Sequence, residues 1–195
     1  GEIPGKGSNT NWAGHQITQW LKDNHSEIPH ENIIVSSFDI DSVVAPQYFA
    51  YLTYTYLTHP DPTHASYQPI PMFNNNIWTS TSFARVTANS TTFWLLAELA
   101  RPERLFTFSS HSMSLKALID VGYWQKDIVS EDSRIFLQCY IKNNGNYKVV
   151  PLFMPVSMDN VHAGSFWKTV QELYKQQRRW AWGVENLPYM VHHFA

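Results

Sequence analysis

Three short clusters in the chain hold side chains that could do chemistry. Asp39-Ile40-Asp41 directly follows the apolar stretch around Ile33, Ile34 and Val35. In an extended segment, residues two apart point to the same side. Two carboxylates placed so make a hard-oxygen site suited to Mg²⁺ or Mn²⁺ with a diphosphate. Ser130-Glu131-Asp132 stands where a helix opens, and a carboxylate aimed from there into a cleft is a candidate general base. Gln176, Arg179 and Trp180 fall at i, i+3 and i+4, so they share one helix face. A guanidinium grips phosphate oxygens as a fork, and an indole stacks on a sugar or a base. Each cluster also has an ordinary structural reading. The first could be a solvated turn and the second simple helix capping. The third could be a basic helix end favoured by the macrodipole, with Trp180 in the core.

The elements that must position these groups can be read from the hydrophobic pattern. Glu31–Phe38 fits a buried strand. Pro46 opens a helix carrying Phe49, Leu52, Tyr56 and Leu57, which Pro60 stops. The proline-rich stretch His59–Pro71 is expected to be a connector into a strand. Phe93–Leu99 and Ser114–Val121 read as helices, the latter with Gly122 as its C-terminal cap. Ser130 is expected to cap a helix with Ile135, Phe136, Cys139 and Tyr140 on its apolar face, ended by Gly145. Tyr147–Leu152 reads as a strand. The last helix is expected from about Ser165 to Trp182, with Phe166, Trp167, Val170, Leu173 and Tyr174 on its inner face. Gly1–Gly14 reads as a loop and Ile17–Lys22 as a short helix. Strands alternating with helices predict an α/β layer fold in one unit.

Composition excludes several functions. Hydrophobic residues make up 44% of the 195 and charged residues 15%, so the chain can bury a core and is not disordered. Fourteen Lys and Arg against sixteen Asp and Glu give a formal charge of −2, which argues against a general nucleic-acid binder. The single cysteine, Cys139, excludes an internal disulfide framework. Nine histidines raise a metal hydrolase, but no H-x-x-x-H falls on a predicted helix. No apolar run approaches the ~20 residues of a spanning helix. The 15% of aromatic residues suit either stacking on ring-shaped ligands or surface that has lost its partner.

Taken in order, D-x-D, E-D and Q-x-x-R-W resemble the membrane-associated family 2 glycosyltransferases, the group that includes cellulose, chitin and hyaluronan synthases. Gly5-Lys6 with Asn11 and Ala13 is similar to the family's G-K-x4-N-x-A stretch, and Phe108–Gly122 is similar to the segment before its E-D helix. The resemblance runs from Gly5 to about Gly183. It implies a partial GT-A-like mixed sheet flanked by helices, and inverting transfer from a nucleotide-diphosphate sugar, expected to be a UDP-sugar, to a saccharide or other hydroxyl acceptor. It implies Asp132 as catalytic base supported by Glu131. Asp39 and Asp41 would hold the Mg²⁺ or Mn²⁺. Lys6, Asn11, Asp39, Gln176 and Arg179 would bind the nucleotide-sugar. Trp180 and His111 would bind the acceptor.

The chain also departs from the family pattern. It carries no Rossmann-like half with its P-x-x-N-E type turn before Lys6, no Asp-Asp or Asp-Gly pair, and no membrane helices after Trp180. The expectation is a single partial catalytic domain over residues 1–195, soluble and inactive alone and binding UDP weakly. Its parent would lie on the cytoplasmic face of the cell membrane, reached through the flanking helices. Unpaired strand edges and bare apolar surface should follow, with Leu187–Ala195 a poorly anchored tail. The alternative is a non-catalytic sugar-binding or scaffold domain derived from the same fold.

Overall fold

The short β-branched runs Ile34–Ser36 and Val43–Val44 form the two edge strands of the sheet. The computed structural model describes residues 1–194. Five strands form one mixed sheet in the order β1 (Ile34–Ser36), β4 (Ser112–Ser114), β3 (Ala65–Phe73), β5 (Lys148–Met158) and β2 (Val43–Val44). The central pair β3 and β5 is parallel, and the other pairings are antiparallel. Helices cover both faces: the fold is α/β with a mixed sheet, as the sequence predicts. Leu52 and Tyr56 of α2 (Tyr48–Thr58) pack with Tyr67, Leu152 and Val156 of the sheet. Leu118 of α4 (Leu115–Asp120) and Ile135 and Cys139 of α5 (Glu131–Lys142) pack with Met113, Trp124 and Tyr147.

Prolines shape the centre of the sheet. Pro69 and Pro71 lie inside β3, and Pro151 and Pro155 inside β5. Proline has no N–H to give to a ladder, and the register jumps there. Gln68 faces Pro151 while Ile70 faces Pro155. The expected connector therefore ends at His64, and the strand begins earlier than its prolines suggest.

The N-terminal segment is not the expected loop. Helix α1 runs Lys6–Asn24 despite its glycines and polar residues. Its buried face is made of Gly7, Ser8, Gly14 and Thr18. A Cβ on Gly7 would lie 2.7 Å from the Gln125 carbonyl oxygen, and one on Gly14 2.6 Å from Tyr123 Cδ1. The small residues let α1 sit directly on the segment that leads into α5, and this contact overrides their low helix propensity.

Helix α3 spans Ser82–Leu99 and starts well before the predicted Phe93. In α6 (Phe166–Ala181) only Thr169 and Leu173 are buried, while Phe166, Trp167 and Tyr174 stand exposed, contrary to the expected inner face. The last segment is also not a loose tail. Asn186–Phe194 forms α7, and Arg134 of α5 donates to Asn186 Oδ1 at 2.8 Å and stacks on Tyr189 at 3.9 Å. Ala195 lies outside the described residues. No helix among them is long and apolar enough to cross a membrane.

Candidate active site

The topology gathers the three clusters. β1 and β2 are opposite edges of the sheet, so the connection between them crosses the sheet beyond the carboxyl ends of β1, β3 and β5. Ligands gather at that end of α/β sheets. Asp39 and Asp41 lie in this connection. Asp41 is tied to the ends of the central strands: its carbonyl accepts from Asn75 Nδ2 at 2.9 Å, and its Oδ2 accepts from the Asp159 N–H at 3.0 Å.

Lys6, the first residue of α1, joins two of the clusters. Its Nζ lies 2.7 Å from Asp39 Oδ1, and 3.1 and 3.2 Å from the two oxygens of Asp132. Ser109 Oγ donates to the other Asp39 oxygen at 2.5 Å. Asp132 sits in the first turn of α5, where the dipole favours an acid. Its carbonyl accepts from Thr107 Oγ1 at 2.6 Å. Gln176, Arg179 and Trp180 of α6 line the same cleft, of about 2200 Å³, as Lys6, Asp39, Asp41, Glu131 and Asp132. Its walls also carry aromatic rings, among them Phe38, Phe73, Trp94 and Phe106.

The charges are strongly coupled. Burial alone would lower the Lys6 ammonium, but the Asp132 and Asp39 carboxylates outweigh it and hold its pKa above the usual lysine range. Burial works against the Asp39 carboxylate too, yet Lys6, the Ser109 hydroxyl and the nearby Arg179 keep its pKa below normal. Glu131 goes the other way. It is 7% exposed, and burial, followed by repulsion from Asp132, pushes its pKa up to about 7.

A family model for glycosyl transferase family group 2 matches residues 34–194. The chain belongs to that family. The mixed sheet and its flanking helices are consistent with the GT-A-like domain of such glycosyltransferases, and the chain is classed as a transferase acting on sugars. No curated protein matches it.

Against this glycosyltransferase frame, two residues sit apart from the cleft surface. Asn11 is turned to the body of the domain, where its Nδ2 donates to the Trp124 carbonyl at 2.7 Å. His111 is fully buried beneath Asp132, its Nδ1 4.0 Å from Asp132 Oδ1. A carbonyl can only accept, so Nδ1 carries the proton given to the Phe108 carbonyl at 3.1 Å. Burial holds the His111 pKa down, so the ring is neutral. Neither side chain touches the cleft as it stands. Ser130 stands at the N-cap position of α5 as expected, but its hydroxyl does not bond the helix: it donates to Glu185 Oε1 at 2.7 Å, and so ties the start of α5 to the segment after α6.

Sequence reasoning passed over Ser109, Thr107 and Arg134. The polar run Ser109-Ser110-His111-Ser112 was a usable signal, because it interrupts an apolar region. Ser110 adopts φ 69° and is fully buried, a strained conformation that clusters at functional sites. Nothing in the sequence marks Thr107 or Arg134, whose partners are distant in the chain.

The implied divalent cation does not fit these carboxylates as they stand. Both oxygens of Asp39 are occupied, one by an ammonium and one by a hydroxyl. One oxygen of Asp41 accepts from the Asp159 N–H. Among the described residues, no three His, Cys, Asp or Glu side chains converge on one point.

Proposed function

We propose that the cleft is the transfer site of an inverting glycosyltransferase of the polysaccharide-synthase type, using a nucleotide-diphosphate sugar as donor and a saccharide or other hydroxyl as acceptor. The observation that carries the reading is the Lys6 bridge. It brings Asp39, beyond β1, and Asp132, at the start of α5, to one ammonium in a cleft also lined by Gln176, Arg179 and Trp180.

The chemistry then follows from the charges. Asp132 takes the proton of the acceptor hydroxyl. The acceptor oxygen forms a bond to the anomeric carbon as the bond from that carbon to the diphosphate oxygen breaks. The electron pair leaves with the diphosphate, and the cationic side chains Lys6 and Arg179 stabilise that charge. Trp180, 41% exposed, with its ring 6.3 Å from that of Phe73, offers a stacking face for a sugar ring. A single in-line displacement inverts the anomeric centre.

The test is transfer from a panel of nucleotide-diphosphate sugars, run with this chain and with any longer native form containing it. The anomer formed is read by NMR. The expected product has the configuration opposite to the donor. Retention of configuration, or use of a donor without a nucleotide, would overturn the reading.

A further inference from the structure

We propose that Glu185 and Asn186, in the segment that follows α6, are positioning residues for Asp132: they grip the first turn of α5 and hold the carboxylate where the transfer reaction needs it. This rests on the reading of Asp132 as the base given above.

Three observations carry it. The first is a ring of hydrogen bonds. Ser130 Oγ donates to Glu185 Oε1 at 2.7 Å. Asn186 Nδ2 donates to Ser133 Oγ at 2.8 Å, and Ser133 Oγ donates in turn to the Ser130 carbonyl at 3.1 Å. Asn186 Oδ1 accepts from Arg134 Nε at 2.8 Å. Both ends of one amide are thus used, each in the role its chemistry allows. Ser130, Ser133 and Arg134 flank Asp132 in the sequence, and all three reach the same two residues.

The second is direction. Ser130, Ser133 and Arg134 stand at i, i+3 and i+4 and share one face of α5. Asp132 lies roughly 200° round the helix from Arg134 at 3.6 residues per turn. Its carboxylate leaves on that other side, to meet Lys6 Nζ at 3.1 and 3.2 Å. The grip therefore fixes the turn without occupying the base.

The third is that α5 does not hold its own start. A serine at the N-cap ordinarily accepts from an N–H of the first turn. Ser130 makes no such bond, because its hydroxyl is turned to Glu185. Helix α6, which carries Gln176, Arg179 and Trp180, ends at Ala181, and the short turn Trp182–Glu185 leads from it to Asn186. Lys6 ties Asp132 to Asp39, and Glu185 and Asn186 tie the same turn of α5 to α6.

The kinetic test uses the longest active form. Glu185→Ala and Asn186→Ala are expected to lower kcat about 10–100-fold, with acceptor KM and UDP affinity changed less than about threefold. Glu185→Gln, which keeps the accepting oxygen, is expected to recover most of the loss. A second arm needs no transfer. Acylation of the Lys6 amine, read by mass spectrometry, is expected to rise at least about threefold in both alanine variants, because burial lowers the Lys6 pKa and Asp132 leads the carboxylates that raise it. Leu52→Ala, in the core beneath α2, is expected to destabilise the fold without moving that acylation. Unchanged kcat or unchanged Lys6 acylation in the alanine variants, with transfer abolished in Asp132→Asn, overturns the positioning role and leaves the base reading in place. An equal rise in Leu52→Ala overturns the role too, since loosening anywhere would then expose Lys6. Transfer kept by Asp132→Asn overturns the base reading, and the positioning role with it.

Discussion

Replacing Glu131 by glutamine keeps the shape of a nearly buried carboxyl and removes its titration. The Glu131 pKa is raised from 4.5 to about 7, first by burial and then by the neighbouring Asp132. An acid whose folded pKa exceeds its unfolded value binds more protons when folded. Stability from this group is therefore present below the unfolded value and is lost as pH rises through about 7. At 1.36 kcal/mol per unit, the full shift corresponds to about 3 kcal/mol, and partial access to the cleft reduces this to about 2 kcal/mol. Glu131→Gln should therefore match the unchanged protein at about pH 4 and exceed it by about 2 kcal/mol at about pH 8.5. Urea denaturation at the two pH values measures both differences. A stability difference that does not change between them would show that Glu131 is not held protonated by its surroundings, and the electrostatic account of the site would fail there.

Arg134→Ala should cost about 2–4 kcal/mol, because the nearly buried guanidinium donates to Asn186 and Gln125 and stacks on Tyr189. Hydrogen exchange should rise in α7 more than in α2, and uniform loss would contradict the anchoring of α7 by Arg134. Gly14→Ala should cost about 1–3 kcal/mol by driving a methyl into Tyr123, whereas Gly183→Ala, with nothing within 4 Å, should change stability little. Equal melting temperatures for the two variants would refute the close approach of α1.

Much of the site was legible because its chemistry lies in short local clusters. The strand before Asp39, the helix after Glu131 and the helix carrying Arg179 all follow from local periodicity and punctuation. What was not legible came from tertiary contact. Lys6–Asn24 is a helix because its small residues meet Tyr123 and Gln125, far along the chain. The outer face of α6 reads as a core face by sequence, yet Phe166, Trp167 and Tyr174 are exposed. Periodicity shows that a helix has an apolar side, not whether anything covers it. The bridge from Lys6 to Asp132 spans 126 residues, and no spacing rule could have paired them. His111 illustrates the converse, since a histidine in a promising polar run turned out to be a neutral, buried neighbour of Asp132.

The central claim is that Asp132 is the base of a transfer reaction in the cleft that Lys6 spans. It is tested most directly by sugar transfer with Asp132→Asn, measured beside donor binding in the same preparation of the longest active form. The account predicts transfer reduced by about 10²–10⁴-fold with donor affinity changed less than about threefold. Transfer within about tenfold of the unchanged protein, a barrier change of only ~1.4 kcal/mol, would contradict it.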